Sequence, residues 1–464
     1  MNPLLKYSKE LLPERPMGSG RFYARLSQSE FITPPERDGT IGSLLFEAFD
    51  GDWFDKNPVP ESPKELADYY DHAALFVLQL HIHPRHIRMF SALEYAAKMA
   101  EEDDEPEDWF VFESSPTKGR TLGESELPLT VYANLYQPGI EAAAKDFRPA
   151  DSTVTTRLRK IVSTAHIPDA NEQEIDNALA NVAKSAIEWA VVYDVGQGNS
   201  IGLCTMQGTV ETYFDLGGGV LANAKTFPSA LTSFCFTRKP PIVLSHWDFD
   251  HWSSANRDTR SLAMTWIAPR QAVGPTHLAL MTSIMSAGKL LLVPRGFPAK
   301  WHGQLHLELC TGSGRNHSGI ALTLAEKPNG GGELMLFPGD ARYPCLRSFP
   351  PKQSYLSVVA PHHGADMRNH TVPTCPSKPP SRLVYSFGHA NTFKHPRMVT
   401  RQDHDRAGWH DPVITASATH YEVRETAHRV PGPLGHVFLG WKTRGSAPVL
   451  PCGGVQCQLQ AQQL

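Results

Sequence analysis

The pattern of apolar and polar positions changes character at residue 189. Beyond it, short β-branched and aromatic runs recur between glycine and polar breaks. They predict strands over Trp189–Asp194, Ile201–Met206, Val210–Asp215, Ile242–Ser245, Met264–Ala268, Leu290–Val293, Leu305–Leu309, Ile320–Leu324, Leu334–Phe337, Leu356–Ala360, Leu383–Phe387 and Val413–Ala416. Pro328-Asn329-Gly330-Gly331-Gly332 lies between two of these runs and predicts a hairpin turn. A helix fits Gln271–Ala287. Strands with interspersed helices, and polar residues at the strand ends, predict layered α/β sheets.

Residues 1–150 are richer in Pro, Glu and Asp and offer few clean strands. Helical periodicity over 64–80 and 90–100 points to a separate, mixed α+β N-terminal domain. The acidic run Glu101–Glu105, closed by Pro106, reads as a solvated loop. Segment 171–188 predicts an amphipathic helix with Asn171 as cap and Glu172 and Glu174 in its first turn. The expected order is an N-terminal domain (1–150), a helical connector (151–188), a second domain (189–445) and a C-terminal tail (446–464). A length of 464 residues suits two cores better than one.

Composition narrows the class. An apolar fraction of 41% with 20% charged residues is that of a globular chain. A net charge of −4 excludes a globally basic coat for nucleic acid, though not a local basic groove. The opening Met1–Lys6 has no apolar signal core, and no run approaches membrane-spanning length, so no membrane partner is expected. The seven scattered cysteines suit reduced thiols and a cytoplasmic protein. Cys452 and Cys457 lack two further ligands nearby, so they are not read as a zinc site.

The densest chemistry is Ser245-His246-Trp247-Asp248-Phe249-Asp250-His251, directly after the apolar run Pro241–Leu244. Four metal-ligating side chains in one loop at a strand end suit two metals better than one. Gly339-Asp340 follows the run Leu334–Phe337, and Pro361-His362-His363-Gly364 follows Leu356–Ala360. Together they point to metal-assisted hydrolysis, in which a metal-bound water supplies hydroxide at neutral pH.

His246-x-Asp248-x-Asp250-His251 resembles the HxHxDH loop of the metallo-β-lactamase fold, with Asp in place of the second His. Within that superfamily the motifs resemble the hydrolase domain of ComEC-type DNA-uptake proteins. Asp194-Val195-Gly196-Gln197-Gly198, Asp215-Leu216-Gly217-Gly218, the HxDxDH loop, Gly339-Asp340, Pro361–Gly364 and Asn391–Pro396 occur in that family's order between residues 189 and 440. The resemblance implies an αββα sandwich and two divalent ions, zinc or manganese. One ion would take His246, Asp248 and Asp340; the other would take Asp250, His251, Asp340 and His362, with Asp340 bridging. Asp248 in place of an imidazole makes the first position harder and favours manganese or a mixed preference. His317, within Gly314–Gly319, is an additional candidate ligand where the wider superfamily keeps a His. Asp250, His363 and His395 are the candidate catalytic groups, the histidines as proton donors to a leaving alkoxide or as phosphate contacts. Asp194 and Asp215 are candidate supports of the metal loop or plain turn residues, and the glycines of 194–198 are a phosphate cradle or a tight turn. His389 reads as exposed.

The substrate implied by the resemblance is a phosphodiester, in DNA or RNA. Arg382, Lys394, Arg397, Arg401 and Arg406 form a basic segment that could follow a nucleic-acid backbone or simply face solvent. A small-substrate phosphodiesterase, like the phosphorylcholine esterases, is the enzymatic alternative, with Trp247, Trp252, Trp266 and Trp301 as pocket candidates. A non-catalytic sensor or scaffold is the third reading. His81, His83 and His86 have short spacing but no acidic ligand, and Pro84 interrupts them, so they are not read as a metal site. The N-terminal domain is a candidate gate, substrate-recognition module or protein-partner site.

Overall fold

The computed structural model describes residues 1–6, 18–31, 42–83, 108–123, 125–349, 354–368, 371–376, 380–411, 413–414, 422–429 and 434–442. Two compact units emerge: Met1–Pro168 with Ala272–Ser286, and Asp169–Gln271 with Ala287–Leu464. The expected helices at 90–100, the acidic run, His86 and the tail 446–464 lie outside the described residues.

The first unit is built on β1 (Gly20–Phe31), β2 (Gly42–Asp50), β3 (Leu75–Ile82), β4 (Trp109–Pro116), β5 (Leu127–Tyr132) and β6 (Ile140–Pro149). They close into a barrel in the order β1-β2-β3-β5-β6-β4, and every pairing is antiparallel. Alternate residues face inward, as a pleated strand requires: Phe22, Ala24 and Leu26 meet Phe46, Leu78, Leu80, Phe110, Phe112 and Phe147. The rings of Phe110 and Phe147 stack at 4.9 Å, and Phe46 meets Phe147 edge-on at 5.7 Å. Closure removes the exposed edges that a sheet of this size would otherwise carry.

This barrel corrects the expected mixed α+β N-terminal domain. The 64–80 periodicity is half right: a helix spans Pro63–His72, and β3 begins at Leu75. The helices Ser152–Ile161 and Pro275–Ala287 also belong to this unit, in whole or nearly so. The N-terminal turn of the latter is held by Glu47 of β2, which accepts from Thr276 N at 2.8 Å and His277 N at 3.3 Å.

The second unit contains β7 (Trp189–Val192), β8 (Ser200–Cys204), β9 (Val210–Leu216), β10 (Ile242–Val243), β11 (Thr265–Pro269), β12 (Lys289–Val293), β13 (Lys300–His302), β14 (Leu305–Leu309), β15 (Ile320–Lys327), β16 (Gly331–Phe337), β17 (Ser357–Val359), β18 (Arg382–Tyr385), β19 (Glu422–Glu425) and β20 (Val437–Gly440). One sheet runs β12-β11-β10-β9-β8-β7-β20, the other β13-β14-β15-β16-β17-β18-β19. Strands β9 to β12 are mutually parallel in the first, and β16 to β19 in the second. The two share one core, in which Ile201, Phe214, Val243 and Ile267 pack with Leu307, Leu322, Phe337 and Val384. A second core of Leu336, Val358, Leu383, Tyr343 and Trp409 covers the other face of the second sheet. The helix Glu172–Lys184 closes its N-terminus with a reciprocal Asn171–Glu174 capping box and sets Ile175, Leu179 and Val182 into the shared core.

The expected αββα sandwich is overturned. The described residues are mainly β, in three sheets, one of them a closed six-stranded barrel. The long apolar helix at 275–287, which an α/β fold would lay on its sheet, belongs to the barrel unit. Several remaining helices of the second unit, such as Phe249–Trp252, Ser254–Arg257 and Gly314–His317, are single turns. At strand level, Lys300–His302 is an unpredicted strand, Glu422–Glu425 forms the last strand of the second sheet, and the expected strand at 413–416 lies partly outside the described residues, its first two positions being a turn. Among the described residues no helix is long and apolar enough to cross a membrane.

Candidate metal centre

Parallel strands bring their C-terminal ends to one edge of a sheet, and the candidate side chains follow those ends. Asp215 lies near the end of β9, the loop Ser245–His251 follows β10, Asp340 follows β16, the His362-His363 pair follows β17, and Ser386–His395 follows β18. The metal loop is pinned by its own main chain. The Asp250 carbonyl accepts from Asn199 N and Gly218 N, each at 3.0 Å. A Cβ on Gly217 would stand 1.7 Å from that oxygen, so the strand end must carry glycine for the loop to approach. The Asp-Leu-Gly-Gly motif therefore serves loop approach. Gln197 N is spent on Thr226 Oγ1 at 2.8 Å, which fits the tight-turn reading of residues 194–198.

His246, His251, His363 and Asp340 are all nearly inaccessible to solvent. Asp340 is the hub: His251 Nε2 lies 3.0 Å from Oδ1, His363 Nε2 3.9 Å from Oδ1, His362 Nε2 3.5 Å from Oδ2 and His246 Nε2 3.7 Å from Oδ2. Asp250 approaches His363 Nε2 at 3.2 Å and His251 Nε2 at 3.9 Å. Two compact donor groups result, His246–His251–Asp340 and Asp250–His251–His363, the donor atoms of each within 4.8 Å of one another.

The imidazoles are oriented from behind. His251 Nδ1 sits 2.8 Å from Asp215 Oδ2, His246 Nδ1 3.0 Å from Ser245 Oγ, and His363 Nδ1 donates to the Ser386 carbonyl at 2.8 Å. Each ring thus turns Nε2 toward the centre. Among the described residues, Nε2 of His246, His251 and His363 and Oδ1 of Asp340 are buried and make no well-aligned hydrogen bond, approaching only the carboxylates and imidazoles of this same cluster. Buried polar atoms are normally satisfied. Four that are not, converging on one point, fit a divalent cation, and the nitrogen-plus-carboxylate set suits zinc or manganese.

The electrostatics follow from burial and mutual charge. Burial alone would raise the Asp340 carboxyl, but His251, His362, His363 and His246 hold it well below the usual range. Asp248 behaves likewise: burial opposes ionisation, and Arg315 and His246 outweigh it. For His251 and His363 burial disfavours the cation, yet Asp340 with Asp215 for the first, and with Asp250 for the second, raise both. Burial lowers His362. Burial, reinforced by His362 and His363, holds His395 well below the ordinary imidazole value.

The remaining candidates fall at graded distances. Asp248 Oδ2 is 3.3 Å from His246 Nε2, while its Oδ1 faces Arg315 Nη2 at 3.4 Å. His362 is about a third exposed and borders Asp340, whereas His363 sits inside a compact group. The His395 ring lies 5.6 Å from that of His362 and 6.4 Å from that of His363, and its loop is tied by Asn391 to the His395 amide and carbonyl. His317 accepts from Arg342 N at 3.5 Å and belongs to neither compact group. His389 is exposed.

Two residues were missed or misjudged by sequence reasoning. Asp215, not Asp194, supports the metal loop; Asp194 pairs with Arg429 and accepts from Gly435 N. Arg315 carries no motif signal, and only the folded chain brings it to Asp248. The basic segment is largely spent internally: Arg401 pairs with Asp411 and Glu425, Arg406 with Asp403, and Arg382 donates to the Phe438 carbonyl. Trp247, Trp252 and Trp266 are fully buried. His81 bonds Thr130 Oγ1 at 3.0 Å on the barrel. Compared with known protein families and curated proteins, the chain matches no family model and no curated sequence.

Proposed function

We propose that the second unit is a metal-dependent hydrolase of phosphodiester bonds. The observation that carries this reading is the set of four buried atoms on His246, His251, His363 and Asp340 that lack a well-aligned hydrogen bond and crowd together with the neighbouring carboxylates. His246, His251, Asp340, Asp250 and His363 would hold the ions, with Asp248 and His362 at the margins. Two divalent cations, zinc or manganese, would supply Lewis acidity and an activated water. The chain's own part is to fix the donors: Asp215, Ser245 and the Ser386 carbonyl hold the imidazoles, and burial removes competing solvent. His362 and His395 border the donor set and are placed to hydrogen-bond a phosphoryl oxygen.

The ordered motifs and their resemblance to ComEC-type hydrolase domains support the phosphodiester class, with nucleic acid as its first candidate. Of the four tryptophans that could line a pocket for a small choline-like head group, Trp247, Trp252 and Trp266 are fully buried and Trp301 is half-buried, which favours the nucleic-acid reading. A cytoplasmic setting is supported by the odd number and scattered positions of the seven cysteines. The barrel unit is a candidate for partner or substrate recognition. The test is to reconstitute purified protein with manganese or zinc, measure bound metal, and assay a bis-aryl phosphodiester beside labelled single-stranded DNA, duplex DNA and RNA. Metal binding with metal-dependent cleavage supports the reading; no bound metal and no cleavage sinks it.

A further inference from the structure

The two ends of the donor set are not equivalent. At one end Asp250, His251 and His363 face one another with Asp340 alongside. At the other, Asp248 stands beside His246 but turns its second oxygen to the guanidinium of Arg315. Arg315 is almost fully buried and clamped. Its Nη1 donates to the Trp247 carbonyl at 2.9 Å, and its own carbonyl accepts from Gln271 Nε2 at 2.8 Å. Gln271 accepts from Trp247 N at 3.3 Å, so guanidinium and metal loop are fastened together.

A guanidinium keeps its charge at any physiological pH and cannot leave this position without breaking those bonds. A divalent cation at the His246–Asp248 end would meet a fixed like charge in a region shielded from water, where such repulsion is strong. The other end carries Asp250 and two imidazoles, and among the described residues no arginine or lysine pairs with the Asp250 carboxylate.

Resting on the hydrolase reading, we propose that Arg315 makes the two cation positions unequal: the Asp250–His251–His363 end binds first and tightly, and the His246–Asp248 end binds weakly. Arg315 is thus a positioning residue that stands in for part of the second ion's charge. This sets the enzyme's dependence on free metal, because the second position fills only at higher concentration.

The test is calorimetric titration of metal-stripped full-length protein with manganese, with metal counted after desalting. Wild type is expected to keep one equivalent through desalting and to take a second with at least tenfold lower affinity. Arg315→Met is expected to tighten the second step at least tenfold and to keep close to two equivalents. Arg315→Lys, which preserves the charge, should behave as wild type and controls for lost packing. Two equal sites in wild type, or an unchanged second step in a folded Arg315→Met, would overturn the inference while leaving the hydrolase reading intact. No binding by wild type at either position would overturn the hydrolase reading instead.

Discussion

His251 and Asp215 are joined through Nδ1 and Oδ2 at 2.8 Å, and neither side chain is exposed to solvent. Asp215 also accepts from Ser245 N at 2.6 Å, Ser245 Oγ at 2.9 Å and Asn199 Nδ2 at 2.9 Å. One carboxylate therefore fixes the start of the loop 245–251 and the tautomer of His251, its last candidate ligand. Asp215→Asn puts an amide where at least one donor must be met. Metal affinity is expected to fall by about 10–100-fold, the usual cost of losing such a support. Competition against a chelator dye checks this, and unchanged affinity would remove Asp215 from the supporting role.

Asp250 combines two functions that mutation can separate. Its carboxylate faces His363, whereas its carbonyl anchors the loop to Asn199 N and Gly218 N. Asp250→Ala keeps the carbonyl and should abolish phosphodiester hydrolysis while leaving the circular dichroism and the unfolding midpoint near wild type. Gly217→Ala should do the reverse in origin. Its Cβ would collide with the Asp250 oxygen, forcing the loop away at about 1–3 kcal/mol in stability, with metal affinity lost as a consequence. Full turnover by Asp250→Ala would refute its assignment as a ligand.

Part of this candidate centre is legible in the sequence because several of its residues are local. A strand end places His246 to His251 in one loop, and glycine spacing announces the turns that admit it. The partnership of Asp215 with His251 is less so, since a turn aspartate reads the same whether or not it supports a ligand. Arg315 carries no sequence signal: His317, two residues later, is the ligand-type side chain in that stretch, and nothing in chain distance says which side chain faces Asp248. The barrel was obscured for a different reason. Its strands carry buried charge at Arg25 and Glu47, which breaks the apolar alternation, and β1 pairs with β4 across a long sequence separation. The strand Glu422–Glu425 has only one apolar residue, so position in the sheet rather than pattern makes it a strand.

The histidines at 81 and 83 provide a specificity control. His81 sits on β3 of the barrel unit, bonded to Thr130 Oγ1. Changing both to Ala should leave metal stoichiometry unaltered by atomic emission analysis. A loss of one equivalent would relocate a binding site to the barrel.

His404 makes a pH prediction away from the metal centre. It is fully buried between Tyr343 Oη, at 2.9 Å from Nε2, and Tyr385 Oη, at 3.0 Å from Nδ1, with the Thr400 carbonyl also accepting from Nδ1. Burial pushes its pKa down to about 4 from an ordinary 6.5. The unfolded chain therefore binds a proton that the folded one refuses between those values. The stability is fully present above the unfolded value and is lost as pH falls through 6.5 toward 4. Between pH 7 and pH 5 this group alone should cost about 2 kcal/mol. Urea midpoints of wild type and His404→Gln across that range test it; parallel pH profiles would rule the linkage out.

Glu47 offers the corresponding test within the barrel unit. Its side chain accepts from Ser27 Oγ at 3.0 Å and from Thr276 N, and lies 2.7 Å from His277 Nδ1, all in the interior. A carboxylate at the start of the helix Pro275–Ala287 also faces the positive end of the helix dipole. Glu47→Ala would strand these donors and the imidazole, and breaking such a buried pair costs about 3–5 kcal/mol. Glu47→Gln keeps one acceptor and the shape, so its loss should be markedly smaller. Denaturant unfolding of the two variants should rank them in that order. Metal retention measured under native conditions should stay at the wild-type value in Glu47→Gln, because every proposed ligand lies in the other unit. Equal stability of Glu47→Ala and wild type would mean that the buried carboxylate contributes nothing to holding the helix.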